Sequence, residues 1–198
     1  MMMQSTFRSL LLALALLVLV QAAHTEPKTG ISFPDRYKGS SLDAMGVRYK
    51  GPIKVYAVGK YADTFLLKMN MGVSAEKIAS STAAAVRPRC SDKDAVDKFE
   101  TMLVAGLPNG CARGTSLAFG TSGGKLSIAI NDKNVGSVSS KPLAKAFADI
   151  YTDKNAVLEL KPVGDDEETT STTGGFITPG RCAVAGAAIG WGIGKLLM

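Results

Sequence analysis

Apolar and polar side chains alternate most regularly over residues 46–63, GVRYKGPIKVYAVGKYAD, where two arms flank Gly51-Pro52. A period of two sends successive side chains to opposite faces, so residues 47–50 and 53–62 predict the strands of a hairpin. In the second arm Ile53, Val55, Ala57, Gly59 and Tyr61 share one face, and Lys54, Tyr56, Val58 and Lys60 share the other. This parity sends Tyr61 with the apolar face. A bulge at Gly59 would reverse it and swing Tyr56 inward. Short strands are also predicted at 117–120, 125–130 and 135–138, separated by Gly123-Gly124 and by the run from Asn131 to Asn134.

A helical period replaces the alternation in three places. An alanine-rich helix is expected over 74–85, ending before Pro88. Ser91 or Asp92 then caps a helix over 94–104 in which Val96, Phe99 and Leu103 recur on one side. Ser139 or Ser140 starts a third helix, with Pro142 in its first turn and Leu143, Phe147 and Ile150 on its buried side. Residues 29–43, rich in Gly, Ser, Pro and charge, read as a leading strand and loop. Strand runs followed by helix runs imply an α+β domain, an antiparallel sheet with helices packed on one face.

Hydropathy changes character at both ends. Arg8, an apolar run from Leu10 to Val20 and then Gln21-Ala22-Ala23 follow the order of a secretory signal peptide over residues 1–22, with cleavage after Ala22. The alternative is a retained anchor, against which the short run counts, because a spanning helix needs roughly 20 apolar residues. The domain is expected over 23–163. Residues 164–180 gather four acidic residues and a Thr/Ser/Gly run, the composition of a flexible linker. The tail, 181–198, is apolar and carries Gly186, Gly190 and Gly194 at four-residue spacing. Such spacing suits membrane or self-association through closely approaching helices, and docking of the tail on the domain is the alternative.

Charge narrows the partners. The formal net charge of +6 falls to +5 when Arg8 leaves with the leader, and the lysines are scattered rather than clustered among aromatics. Nucleic acid is therefore not expected as a partner. The only histidine, His24, is read as part of a mobile terminus, which removes Ser-His and Cys-His catalysis and imidazole-bound zinc. No metal or cofactor is implied. Among the three cysteines, Cys90 and Cys111 could close a disulfide around the helix over 94–104 in an oxidising compartment, worth about 3 kcal/mol. Cys182 would be left over, and the alternative is three free or buried thiols.

The hairpin, together with GKLSIAINDKNVGSVSSKPLAKAFADIY over 124–151, resembles the chalcone isomerase family. The resemblance covers most of residues 30–161 and implies an open-faced sandwich with a ligand cleft between sheet and helices. It also implies that Arg48 is the family's cleft arginine and that Lys77 matches the lysine of its catalytic helix. Ser74 and Ser81 stand where that helix carries tyrosine and asparagine, and Tyr56 stands where the enzymes carry a threonine. Read as an enzyme, the chain would be an intramolecular lyase in which Arg48, Lys77, Ser74 and Ser81 stabilise the anion of ring closure. A second branch of the family binds fatty acids without ring closure, its arginine and tyrosine holding the carboxylate. The thirteen-residue separation of Arg48 and Tyr61 is similar to the one in that branch. A guanidinium offers a bidentate contact to a carboxylate and a phenol adds a third donor. The resemblance thus implies a noncatalytic protein binding a fatty acid or similar apolar carboxylate at Arg48, Tyr61 and, with a bulge, Tyr56. The competing reading pairs Arg48 with an internal carboxylate such as Asp63 and leaves Tyr61 to pack. Routing would be through the secretory pathway, to the exterior or to a plastid by an ER-derived path.

Overall fold

A computed structural model describes residues 22–164. All but the last residue of the expected leader, all but the first residue of the expected linker and the whole tail lie outside these residues, as does Cys182. Two small hairpins come first, β1 (Ala23–Glu26) with β2 (Ile31–Pro34) and β3 (Arg36–Tyr37) with β4 (Ser40–Ser41). The strands β5 (Ala44–Lys50), β6 (Ile53–Tyr61), β7 (Thr64–Met69), β8 (Ser116–Gly120), β9 (Lys125–Ile130), β10 (Lys133–Ser139) and β11 (Lys161–Pro162) make one antiparallel sheet in the order β10-β9-β8-β7-β6-β5-β11. Helices α1 (Ala75–Val86) and α2 (Lys93–Ala105) separate β7 from β8, and α3 (Lys141–Thr152) follows β10. The α+β architecture expected from the pattern is the one observed.

Local chemistry sets the helix boundaries. Ser74 Oγ accepts from the backbone N–H of Lys77, Asp92 from that of Ala95 and Ser140 from that of Leu143, each satisfying a donor that a helix start leaves orphaned. The turn between β9 and β10 is Asn131-Asp132, both with positive φ (48° and 63°), the conformation that fits a two-residue hairpin loop to the twist of its strands.

Each face of the sheet has its own core. Towards the helices, Val58, Phe65, Leu67, Leu117, Phe119 and Ile128 meet Phe99 of α2 and Phe147 and Ile150 of α3. Aromatic rings carry much of this contact, Phe119 and Phe147 lying 4.6 Å apart between centroids. On the other face Ala57, Tyr61, Leu66, Ala118 and Ala129 are covered by Phe33 of β2 and by Leu42. Strand β7 lies at the centre of the sheet and is apolar on both faces, so its Phe65-Leu66-Leu67 run does not alternate and the periodicity leaves it unassigned.

Two expectations are corrected here. Cys90 and Cys111 are buried free thiols. They flank the thirteen-residue α2, which at about 1.5 Å per residue holds its ends roughly 20 Å apart, whereas a disulfide spans at most about 7 Å between Cα atoms. Cys111 instead forms an isolated backbone bridge with Val73, and the Cys90 thiol faces the Asp92 carbonyl. The pair thus lends no support to an oxidising compartment. His24 is not in a loose terminus but in β1, with Nε2 3.2 Å from Asp35 Oδ1.

Candidate functional site

Where β5 and β6 pass beneath α1 and α3, the sheet and helices part to leave a cavity of about 540 Å³. Its size is within the range of about 300–1,000 Å³ found for small-molecule sites. The walls are apolar, with Val55, Ile78, Ala85 and Ile150 among them, and three cations, Arg48, Lys50 and Lys77, line it. Among the described residues no aspartate or glutamate does. A cavity with this lining favours an anion at one end and hydrocarbon along its length.

Arg48 is placed by strand register and by a glycine. It lies directly across from Tyr56 on β6, and Gly46 precedes it by two residues on the same face of β5. A Cβ at Gly46 would collide with the Glu159 carbonyl oxygen and, at 2.6 Å, with Leu158 Cδ1. Glycine there lets the segment after α3 close on β5, and the carbonyl of Val157 in that segment accepts a hydrogen bond from Arg48 Nη1 at 2.5 Å. A guanidinium carries five N–H donors, so this contact orients Arg48 and leaves donors for a ligand. None of the ion pairs among the described residues involves Arg48, so Asp63 is not its partner.

A bulge lies at Val55, not at Gly59, and it sets Tyr56 opposite Arg48. Arg48 pairs with Tyr56 while Tyr49 pairs with Lys54, so Val55 is the extra residue on β6. Val55 and Tyr56 consequently both line the cavity. Beyond the bulge alternation resumes: Tyr56 and Val58 face the helices, and Ala57 and Tyr61 face away. Tyr61 is therefore not a partner of Arg48, which corrects the thirteen-residue pairing. It is fully buried on the opposite face, its hydroxyl donating to the Pro34 carbonyl at 2.7 Å and its ring 5.5 Å from that of Tyr37. The predicted parity within the strand is right from Tyr56 onward. The error lies in which face meets the cleft, because β1–β4 supply a second apolar cover.

Tyr151 is a site residue that the sequence reading misses. It follows Phe147 by four positions on α3, the spacing that puts two side chains on one helix face, so a signal for it exists. Its ring stacks on Phe65 at 5.1 Å, and its phenol and that of Tyr56 lie close enough for each to act on the other's pKa. Burial pushes the pKa of both phenols up, with Arg48 pulling the other way, so both remain neutral donors at physiological pH. The Val157 carbonyl, by contrast, has no sequence signature.

The remaining expected residues gather on α1. Ser74, Lys77 and Ser81 recur at spacings of three and four, and all three line the cavity. Ser74 Oγ accepts the capping N–H of Lys77, and Ser74, Lys77 and Ser81 are all exposed. The structure therefore unites Arg48, Tyr56, Ser74, Lys77 and Ser81 and leaves Tyr61 out.

The fold matches that of a fatty-acid binding protein of Arabidopsis thaliana with a TM-score of 0.61, at 22% identity, over 69% of this chain and 91% of that one. In sequence the chain is 45% identical over 65 residues to chalcone isomerase-like protein 1 of Humulus lupulus. That match spans 28% of this chain and 30% of the relative's length. No protein-family profile matches the chain.

Proposed function

We propose that this chain, which is similar in sequence to chalcone isomerase-like proteins and shares their fold, binds a fatty acid or similar apolar carboxylate without transforming it. The observation that carries this reading is an oriented arginine, with two neutral phenols beside it, in an apolar cavity whose described lining is free of acidic side chains. In the bound state the carboxylate takes the free N–H groups of Arg48 and the hydroxyl of Tyr56, with Tyr151 steadying the phenol from behind. Hydrogen bonds to a charged group contribute about 1.5–3 kcal/mol. Each buried methylene adds about 0.8 kcal/mol, so about ten of them supply most of the affinity before the ordering costs of binding. The Arabidopsis protein of matching fold is a fatty-acid binding protein, which supports the same ligand class. The N-terminal pattern supports a carrier routed through the secretory pathway.

Ring closure on an enone, the competing reading, needs donors aimed at a developing enolate. Here the short hydroxyls of Ser74 and Ser81 stand where the resemblance leads one to expect tyrosine and asparagine, and the bulk of Tyr56 stands across from Arg48. Both features favour binding over turnover.

Extraction of the purified protein followed by mass spectrometry, with titration of a fluorescent fatty acid, tests the proposal. A bound carboxylic lipid is expected, and Arg48→Ala should weaken binding by roughly 10- to 100-fold, matching the loss of a charge-assisted hydrogen bond. Equal affinity in a folded Arg48→Ala protein would refute the site.

A further inference from the structure

Ile53 and Met71 are the two large apolar side chains that stand exposed among the described residues, at 50% and 36% exposure. Isolated exposed apolar residues are ordinary on a protein surface and carry no meaning by themselves. These two, however, share one place: both line the cavity, as do Lys50 and Lys77, which are exposed beside them. Ile53 projects from the β5–β6 turn, where Gly51 takes a positive φ of 59° and Pro52 limits the backbone, so the tip is stiff. Behind this rim the lining passes directly to the buried Ile78, Ile150, Tyr56 and Tyr151. Glu76, the acidic neighbour of Lys77, is not part of the lining.

We infer that the cavity mouth docks on an anionic bilayer surface, with Ile53 and Met71 entering the interface and Lys50 and Lys77 meeting lipid headgroups. Charge complementarity selects this occupant. A rim with two exposed cations and no acid among the described residues, around two exposed apolar side chains, pairs apolar insertion with attraction to anionic lipid, the combination that peripheral membrane binding uses. Docked in this way, the open end of the cavity faces the acyl layer, and a hydrocarbon chain reaches the Tyr56 floor without crossing water. A second copy or another protein would need a matching acidic, apolar surface, and the described part of this chain offers no acidic counterpart in that lining. The inference gives the carrier reading its route of loading and for that purpose rests on it, although docking is measured separately.

The test uses the full chain with Cys182→Ser and Ile53→Cys, labelled with an environment-sensitive fluorophore; Cys90 and Cys111 are buried. A second protein carries the label at Ser122→Cys, in the β8–β9 turn at the opposite end of the sheet. With phosphatidylglycerol-containing vesicles, emission at position 53 should shift to the blue and rise severalfold, while position 122 stays aqueous. Phosphatidylcholine vesicles should give little change, and Lys50→Glu with Lys77→Glu should remove most of the response. An aqueous label at 53 on vesicle-bound protein overturns the inference, because another segment is then the anchor. So does a response that grows with protein concentration in the absence of vesicles, which marks self-association, or one that the glutamates leave intact. Fatty-acid titration without vesicles separates the two readings. Binding with no insertion sinks only the docking surface, and insertion with no binding sinks only the carrier.

Discussion

Strand β6 carries a tyrosine on each face of the sheet, and the two have opposite fates. Tyr56 is enclosed at the inner end of a cavity beside a cation, whereas Tyr61, five residues on, is sealed by its own hydrogen bond to Pro34. Residue type and strand are the same, so the difference lies in what packs over each face. Helices α1 and α3 diverge over the first and leave a cavity. The hairpins β1–β4 lie flat over the second, close enough that a Cβ on Gly59 would come within 2.7 Å of Phe33. One face leaves a cavity, and the other is packed shut.

If that division holds, the largest single effect should come from the closed face. Phe33→Ala removes a fully buried ring and should cost about 3–5 kcal/mol in denaturant unfolding, with fatty-acid affinity of the folded protein almost unchanged. A loss of affinity as large as the loss of stability would mean that the two faces are coupled.

Next in size is the tyrosine pair. Tyr56→Phe should weaken fatty-acid binding roughly tenfold or more, losing a hydrogen bond to a charged group worth about 1.5–3 kcal/mol. Tyr61→Phe should leave binding alone and lower stability by about 1–2 kcal/mol, since the Pro34 carbonyl loses its donor. Calorimetric titration and thermal melts of both variants distinguish the faces. Reversed results would restore Tyr61 to the site.

The smallest effect concerns the clamp behind the cavity. Arg89 holds Asp153 at 2.7 and 3.1 Å and also donates to the carbonyls of Ala85 and Asn155, tying the end of α1 to the segment that presents Val157 to Arg48. The hydrogen bond from Arg89 lowers the pKa of Asp153. A carboxylate with a depressed folded-state pKa stabilises the fold above its unfolded pKa, about 3.9 for aspartate, and that stabilisation is lost as pH falls through the folded value. Unfolding midpoints measured from pH 6 downward should therefore decline less steeply below pH 4 in Asp153→Asn than in the parent. An unchanged acid limb would show that the clamp is too solvated to matter.

Pattern along the chain was enough to establish the α+β class, the three helices, the caps of two of them to within a pair of residues, and the hairpin, and to place Arg48, Tyr56, Ser74, Lys77 and Ser81 among the candidates. The elements follow from local periodicity, capping chemistry and turn residues, all of which act over a few positions, and the candidates from the family resemblance those elements carry. Three other matters belong to the packed fold. Strand β7 was hidden because a strand covered on both faces has no alternation to detect. The disulfide was excluded because an unbroken α2 keeps its flanking cysteines apart. The choice of Tyr56 over Tyr61 depended on an unpaired residue at Val55 and on which layer covers which face, neither of which leaves a mark in the spacing. A strand's pattern states which side chains travel together, but only the packing of distant segments states what they meet.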